Sequence, residues 1–473
     1  MNKIVFGTGG FRGIIGDDFR KENVVLVAQA ISNVIKKRKS RKEVVIGYDY
    51  RFLSEESALW ISEVFAGNRI HCLLSKEPVP TPAVMFLSKE LGNDFGVMIT
   101  ASHNPYSFNG IKVFQKDGMD ADVALTDEIE REIAVLRKIR KTEKYDADYG
   151  NYVSEVSFLN LYLEFVGKFV SPEIQGSPVK VLFDAIYGTG GLTIRRLAKK
   201  YGLKNVRSIR SVRDAWFHGE LPNPTRANML KLSAKVVKEG YDFAFGIDSD
   251  GDRLGVLDEK GNYVDSNEIL AALYYYLVNY RGEKGPCVRN IATSNLLDRV
   301  SEKMDSRCYE VDVGFKNISS EMKRTNALIG GESSGGLTIR GYLYGKDSTF
   351  AAMLFTEMVI VMKKPVSEII REVRDFADFH HVIVEQTFSY RRGIDIGSAL
   401  LERMPEFDVS PLSIVRLGKN VKYLFDGDSW VLLRVSGTEP VVRVFVETDN
   451  QDKADDYLKI VDGFIQSLDG VCV

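Results

Sequence analysis

The chain has 473 residues, more than one hydrophobic core usually supports, so several domains are expected from length alone. Its 44% hydrophobic and 27% charged residues are those of an ordinary globular protein, and a formal net charge of -2 gives no electrostatic case for a nucleic-acid or membrane partner. Any anionic ligand must therefore be met by cations that cluster locally.

In chain order, the opening stretch Met1 to Gly13 has no long apolar core of the kind that marks a signal peptide. Its cluster Gly7-Thr8-Gly9-Gly10, like Gly188 to Gly191 further on, lacks the G-x-G-x-x-G spacing of a dinucleotide fold. A β-branched run, Val44 to Asp49, leads into an amphipathic stretch from Glu55 to Phe65. The same order recurs at Val179 to Asp184, followed by a glycine turn and a helical pattern to Lys200, and at Val288 to Thr293, followed by Asn295 to Lys303. Strands alternating with helices at such wide separation predict three related α/β domains. The last hundred residues differ: the closely spaced β-rich runs His380 to Phe388, Val421 to Phe425, Trp430 to Val435 and Val441 to Thr448, then an amphipathic Lys453 to Leu468, predict a small antiparallel α+β domain. Joints are expected at the polar stretch Lys141 to Tyr149, just after Arg253, and within Lys363 to Phe376, which divides the chain into 1–145, 146–254, 255–372 and 373–473. The cysteines, Cys72, Cys287, Cys308 and Cys472, lie far apart and form no C-x-x-C pair, so neither zinc nor a disulfide framework is suggested and a cytoplasmic location is expected.

Four segments carry chemistry. Thr100-Ala101-Ser102-His103-Asn104-Pro105 follows the strand-like Phe95 to Ile99 and presents a serine at a strand-to-loop junction, as a nucleophile requires, although a plain turn serine fits as well. His103 adjoins it without implying a hydrolase pair, and Lys112 matters only if its strand folds back beside Ser102. Asp248-Ser249-Asp250-Gly251-Asp252-Arg253 follows the apolar Phe243 to Ile247; three carboxylates on alternate residues of a tight loop can converge on one hard divalent cation. An EF-hand is disfavoured because Arg253 stands where the invariant glycine belongs and the preceding segment is strand-like. Gly330 to Gly336 packs glycines around Glu332, Ser333 and Ser334, suited to close approach of a polyhydroxylated ligand or to a flexible turn. Arg434-Val435-Ser436-Gly437-Thr438-Glu439-Pro440, with Arg443 beyond it, offers guanidinium, hydroxyls and amide to a phosphate, without the lysine and helix of a Walker loop.

Taken in order, FGTGGFRG at Phe6 to Gly13, TASHNP, DSDGDR, GGESSGG and RVSGTEP resemble the phosphoglucomutase/phosphomannomutase family, the α-D-phosphohexomutases, over nearly the whole chain, with lesser echoes in VPTPAV, NPTRAN and VGFKNI. The resemblance implies three α/β domains of shared topology with mixed sheets and a C-terminal α+β domain resembling the TATA-binding protein, around one cleft. It implies that Ser102 is carried as phosphoserine and completes a magnesium site with Asp248, Asp250 and Asp252. It makes Lys112 a proton carrier, with Arg12 near the transferring group and His103 in the catalytic set. Glu332 and Ser334 become sugar contacts, Lys316 a substrate contact, and Arg434, Ser436, Gly437 and Thr438 the clamp for the phosphate that does not react, with Arg443 and Arg253 also in the substrate-binding set. The implied reaction interconverts glucose 1-phosphate and glucose 6-phosphate, or the mannose phosphates, through a hexose 1,6-bisphosphate that also serves as activator. The expected partner is a small hexose phosphate, and the expected state a monomer or homodimer. Two positions depart from the family: Ser333 replaces a second acidic residue, and GTGG replaces the commoner GTSG or GTDG. The loop also differs from the GEQSGH of phosphoglucosamine mutases, which ranks that activity lower. A sugar-phosphate-binding protein without turnover is the other class, disfavoured because Ser102, Lys112 and all three aspartates are present.

Overall fold

The computed structural model describes residues 4–7, 10–139, 149–391, 395–436 and 440–469. Three times the chain builds the same unit: a strand, a crossover helix, a parallel strand, a second crossover, a third parallel strand beside the first, and a fourth strand that turns back antiparallel on the third. In the first unit the four strands are Glu43–Tyr48, His71–Ser75, Phe95–Ile99 and Phe108–Gln115. In the second they are Val181–Asp184, Val206–Ile209, Phe243–Ile247 and Leu254–Leu257. In the third they are Cys287–Asn290, Cys308–Val311, Ile329–Gly331 and Leu337–Ile339. The central strands read as nearly continuous apolar runs because helices cover both faces of a parallel sheet; Phe95–Ile99 and Phe243–Ile247 are buried at every residue. The fourth unit is one antiparallel sheet, ordered Val382–Ser389, Val441–Thr448, Trp430–Val435, Asn420–Leu424 and Ser413–Leu417, packed against the helix Gln451–Asp469.

The three α/β units and the antiparallel α+β unit are those expected from the strand spacing, but the joints lie further along the chain. Val153–Val156 pairs with His71–Ser75, so the first sheet runs past 145. Leu254–Leu257 and Tyr263–Val264 belong to the second sheet, so that unit does not end after Arg253. Helix Val366–Ala377 packs on Ser266–Asn279 and Leu296–Lys303 and closes the third unit instead of linking it to the fourth. Composition marks polar stretches, whereas these segments are short elements bounding a core, and pairing decides their membership. The strand Ser413–Leu417 and helix Ile396–Glu402 have no counterpart in the sequence reading. Cys287 and Cys308, distant in sequence, are register partners on neighbouring strands, and both are free thiols.

Buried polar groups tie the units together. The carboxylate of Glu357, fully buried, accepts from Tyr276 Oη at 2.5 Å, from Arg281 Nε and Nη2 at 2.7 and 2.6 Å, and from the amide of Ser171 at 2.6 Å. A carboxylate so deep is tolerated only with such partners. At the joint to the fourth unit, Lys422 Nζ donates to Glu310 at 2.8 Å and to the carbonyl of Ile291 at 3.1 Å, and lies 4.3 Å from the Trp430 ring centroid. Trp430 Nε1 in turn donates to Glu447 at 2.6 Å, which also accepts from the amide of Asn295 at 2.9 Å.

Burial, and after it the Arg289 charge, lowers the Lys422 ammonium from 10.5 to about 8, against the pull of Glu310 and Glu447. The folded value lies below the unfolded one, so this group's stability contribution is present above pH 10.5 and lost as pH falls through about 8. As pH rises between those limits the wild-type protein should therefore gain stability relative to Lys422→Met, by at most about 3 kcal/mol. Thermal midpoints of the two proteins followed across that range test this; a constant difference would contradict it.

Candidate active site

Each α/β unit turns from its third strand to its antiparallel fourth at the carboxyl ends of its parallel strands, where open α/β sheets assemble ligand sites. These turns carry Ser102, the Asp248 to Arg253 loop and the Glu332 loop. The repeated topology thus delivers one chemical segment from each unit to one place.

Ser102, 1% exposed, adopts φ 51°, a left-handed conformation rare for a residue with a side chain. Its Oγ donates to Asp248 Oδ2 at 3.0 Å and lies 3.4 Å from His103 Nδ1. The separation of these segments in sequence is thus closed in space. Burial, followed by the charges of Arg253 and Arg12, drives the His103 imidazole far below its usual range, so it is neutral. Arg12 Nη1 donates to Asn104 Oδ1 at 2.6 Å.

One carboxylate oxygen from each of Asp248, Asp250 and Asp252 lies within 4.8 Å of the others, all three side chains buried. The loop closes on itself: Asp248 Oδ1 accepts the amides of Asp252 and Arg253 at 2.8 and 3.0 Å. Gly251, at φ 80°, passes so close to Pro80 that a Cβ would come within 2.8 Å of the proline Cβ. Burial and the two neighbouring carboxylates raise Asp248 well above the carboxylate range. For Asp250 and Asp252 burial pushes the same way, but Lys112, aided for Asp252 by Lys346 and Arg253, outweighs it and lowers both. Lys112 Nζ donates to Asp250 Oδ2 at 2.7 Å and Asp252 Oδ2 at 2.8 Å. That leaves Asp250 Oδ1 and Asp252 Oδ1 buried with no hydrogen-bond partner. Oxygen-only donors, crowded anionic charge and orphaned buried oxygens are what a hard divalent cation requires, so the residues fit one.

Glu332 Oε1 accepts from Ser334 Oγ at 2.7 Å, and Asn290 Nδ2 lies 3.4 Å from Oε2. Lys346 Nζ stands between the loops, 3.3 Å from Asp252 Oδ2 and 3.6 Å from Glu332 Oε1. Arg253 Nε lies 3.9 Å from Asp252 Oδ1. On the fourth unit Arg434 is in register with Arg443; burial and the Arg443 charge lower Arg434, while the Glu332 charge pulls it up. The Ser436 amide donates to the Val441 carbonyl at 3.0 Å. Gly437 and Thr438 lie outside the described residues. Lys316, at the start of helix Phe315–Thr325, is not joined to the aspartates by any contact among the described residues.

Sequence reasoning missed three groups here. Thr81, whose Oγ1 donates to Asp250 Oδ2 at 2.6 Å, sits in the VPTPAV echo and could have been picked out there. Lys346 has no sequence signal. Arg51, whose side chain is wholly buried beneath the Ser102 loop, follows the first strand as an ordinary polar residue would.

Models of the phosphoglucomutase/phosphomannomutase family match in order: α/β/α domain I at residues 3–140, domain II at 160–261, domain III at 265–376 and the C-terminal domain at 407–463. A phosphoglucomutase/phosphomannomutase of Thermococcus kodakarensis is 28% identical over 470 residues, covering 97% of this chain and 98% of its own. A phosphoglucosamine mutase of Bacillus mycoides is 30% identical over 473 residues, covering 96% of each. Among solved structures, a Thermus thermophilus protein provisionally named phosphomannomutase superposes with a TM-score of 0.85 at 28% identity, over 98% of this chain and 99% of that one. Four domain matches in sequence order, on a fold whose repeated turns meet at one acidic site, place the chain in the phosphoglucomutase/phosphomannomutase family of α-D-phosphohexomutases, and it is an enzyme of the isomerase class.

Proposed function

We propose that the protein is a phosphoglucomutase, interconverting glucose 1-phosphate and glucose 6-phosphate through phosphoserine at Ser102 and a hexose 1,6-bisphosphate, with mannose phosphates as second substrates. The observation that carries this is the Ser102 hydroxyl 3.0 Å from Asp248 within a buried trio of carboxylates. Asp248, Asp250 and Asp252, with an oxygen at Ser102, hold magnesium, which when bound neutralises phosphoryl charge. The chain's own groups do the rest. The P–O bond to Ser102 Oγ breaks as a sugar hydroxyl forms a new one; Lys112 gives a proton to the departing Oγ and regains one from the hydroxyl, while the neutral His103, 3.4 Å from Oγ, helps to place it. After the bisphosphate turns round, these roles reverse. Arg12 and Arg253 balance the charge of the moving group. Arg434, Ser436, Gly437, Thr438 and Arg443 clamp the phosphate that does not react, and Lys316 meets the sugar when the fourth unit closes over it.

The sugar reading rests on charge. Glu332 and Ser334 offer hydrogen bonds to adjacent hydroxyls, but Ser333 brings no second carboxylate, and Lys346 stands 3.6 Å from Glu332. A hydroxyl at C2 is neutral to that lysine, whereas the ammonium of a glucosamine phosphate is repelled. The competing reading, a phosphoglucosamine mutase, is favoured by the names of several relatives, including the one from Bacillus mycoides. We place the enzyme in the cytoplasm as a monomer or homodimer acting on a small hexose phosphate, with neither nucleic acid nor membrane as partner; among the described residues no helix is long and apolar enough to cross a membrane.

Three outcomes are expected. Intact-mass and peptide analysis of purified enzyme should find one phosphoryl group on Ser102, and Ser102→Ala should lose mutase activity by at least ~10³-fold; an active, folded Ser102→Ala enzyme would overturn the mechanism. Asp250→Asn should weaken magnesium binding in a direct calorimetric titration and lower turnover by ~10²-fold or more; unchanged affinity would remove the metal assignment. Specificity constants under identical priming should rank glucose 1-phosphate first and glucosamine 1-phosphate at least ~10-fold lower. The reverse order would make the protein a phosphoglucosamine mutase.

A further inference from the structure

Both peptide groups that flank Ser102 are gripped by one buried ion pair. The side chains of Arg51 and Asp49 are each 0% exposed, and Arg51 Nε lies 3.4 Å from Asp49 Oδ2. On the amide side, Asp49 Oδ2 accepts from Thr100 Oγ1 at 2.6 Å, and Thr100 Oγ1 accepts from the Ser102 amide at 2.8 Å. On the carbonyl side, Arg51 Nη2 donates to the Ser102 carbonyl and to that of Asn104 at 2.6 Å, while Nη1 donates to Pro105 and Phe108 carbonyls at 2.8 and 3.0 Å. Four carbonyls thus converge on one guanidinium, whose flat fork of donors suits them as a lysine ammonium does not. Asp49 is itself held, accepting from Ser54 Oγ at 2.7 Å and from the Arg51 amide at 2.9 Å.

The grip has a purpose that packing alone would not require. A left-handed serine is strained and persists only where its surroundings over-determine it. Here that conformation aims Oγ at Asp248. The same guanidinium also lies 3.5 Å from Ser249 Oγ in the acidic loop, and Ser249 donates to the Ser102 carbonyl, so the serine loop and the acidic loop share one anchor across two units. Charged groups buried this deeply are expensive unless every partner is met.

We propose that Arg51 is a positioning residue for phosphoryl transfer: it holds Ser102 in its left-handed conformation and, through Ser249, in register with the three aspartates. The inference rests on Ser102 being the nucleophile. Arg51→Lys keeps the charge and loses the fork. It should slow phosphorylation of dephosphorylated enzyme by a hexose 1,6-bisphosphate, read by quenched intact mass, by about 10²-fold, with kcat falling alike and KM unchanged, since misplacement by about 1 Å costs that much. Ser249→Ala, which removes only the inter-loop tie, should slow the same step by roughly tenfold with an unchanged thermal midpoint, and it decides the matter alone if Arg51→Lys does not fold. A purely structural role would lower the folded fraction and leave the rate per folded molecule intact. Wild-type phosphorylation rates in folded Arg51→Lys, or in Ser249→Ala, or a loss carried by KM, would overturn the inference. With Ser102→Ala inactive, such a result removes only the role of Arg51; an active Ser102→Ala enzyme removes the nucleophile itself.

Discussion

Three buried carboxylates, with oxygens within 4.8 Å of one another, set the terms for the rest of this molecule. Like charges so placed repel strongly in a medium of low polarisability, and each also loses its hydration. The structure answers with cations drawn from elsewhere in the chain: Lys112 from the first unit bridges Asp250 and Asp252, and Lys346 from the third approaches Asp252. Even so, two carboxylate oxygens, Asp250 Oδ1 and Asp252 Oδ1, keep no hydrogen-bond partner. An arrangement so incompletely compensated is adapted to receive charge, and a divalent ion with a phosphoryl group is the charge that fits.

The architecture follows from that need. Each α/β unit alone has one polar turn at the end of its third strand, and none alone can neutralise the acidic loop. Packing the three units on a continuous core, from Val45 to Phe379, sets the turns side by side. Hydrogen bonds then cross between units where precision matters: Thr81 to Asp250, the amide of Leu254 to the carbonyl of Gly335 at 3.3 Å, and the amide of Ser348 to the carbonyl of Gly251 at 3.0 Å. The fourth unit is joined differently, through the buried Lys422, Trp430 and Glu447 cluster against the third. Its Arg434 feels the charge of Glu332 at the site.

Much of this was legible beforehand because the local patterns are strong. The alternation of apolar runs with amphipathic stretches marked the repeated units, and Asp248, Asp250 and Asp252 announced themselves by spacing on one tight loop. The joints were less legible. A short edge strand such as Val153–Val156 carries little signal of its own and is defined by pairing with His71–Ser75. Ser413–Leu417 was overlooked for the same reason: at the edge of its sheet, no residue in it is fully buried, so its apolar pattern is weak.

The class of fold, the acidic loop, the serine at its strand end and the family to which they belong follow from the residue order alone, because each is written in consecutive residues. That Lys112 turns onto the aspartates, that Lys346 stands between the acidic loop and Glu332, and that Arg51 lies beneath Ser102 emerges from the packed fold. A lysine or arginine is a generic cation in sequence. Its role comes from which oxygens surround it after distant strands have packed, and that is set by the whole core and by no local pattern.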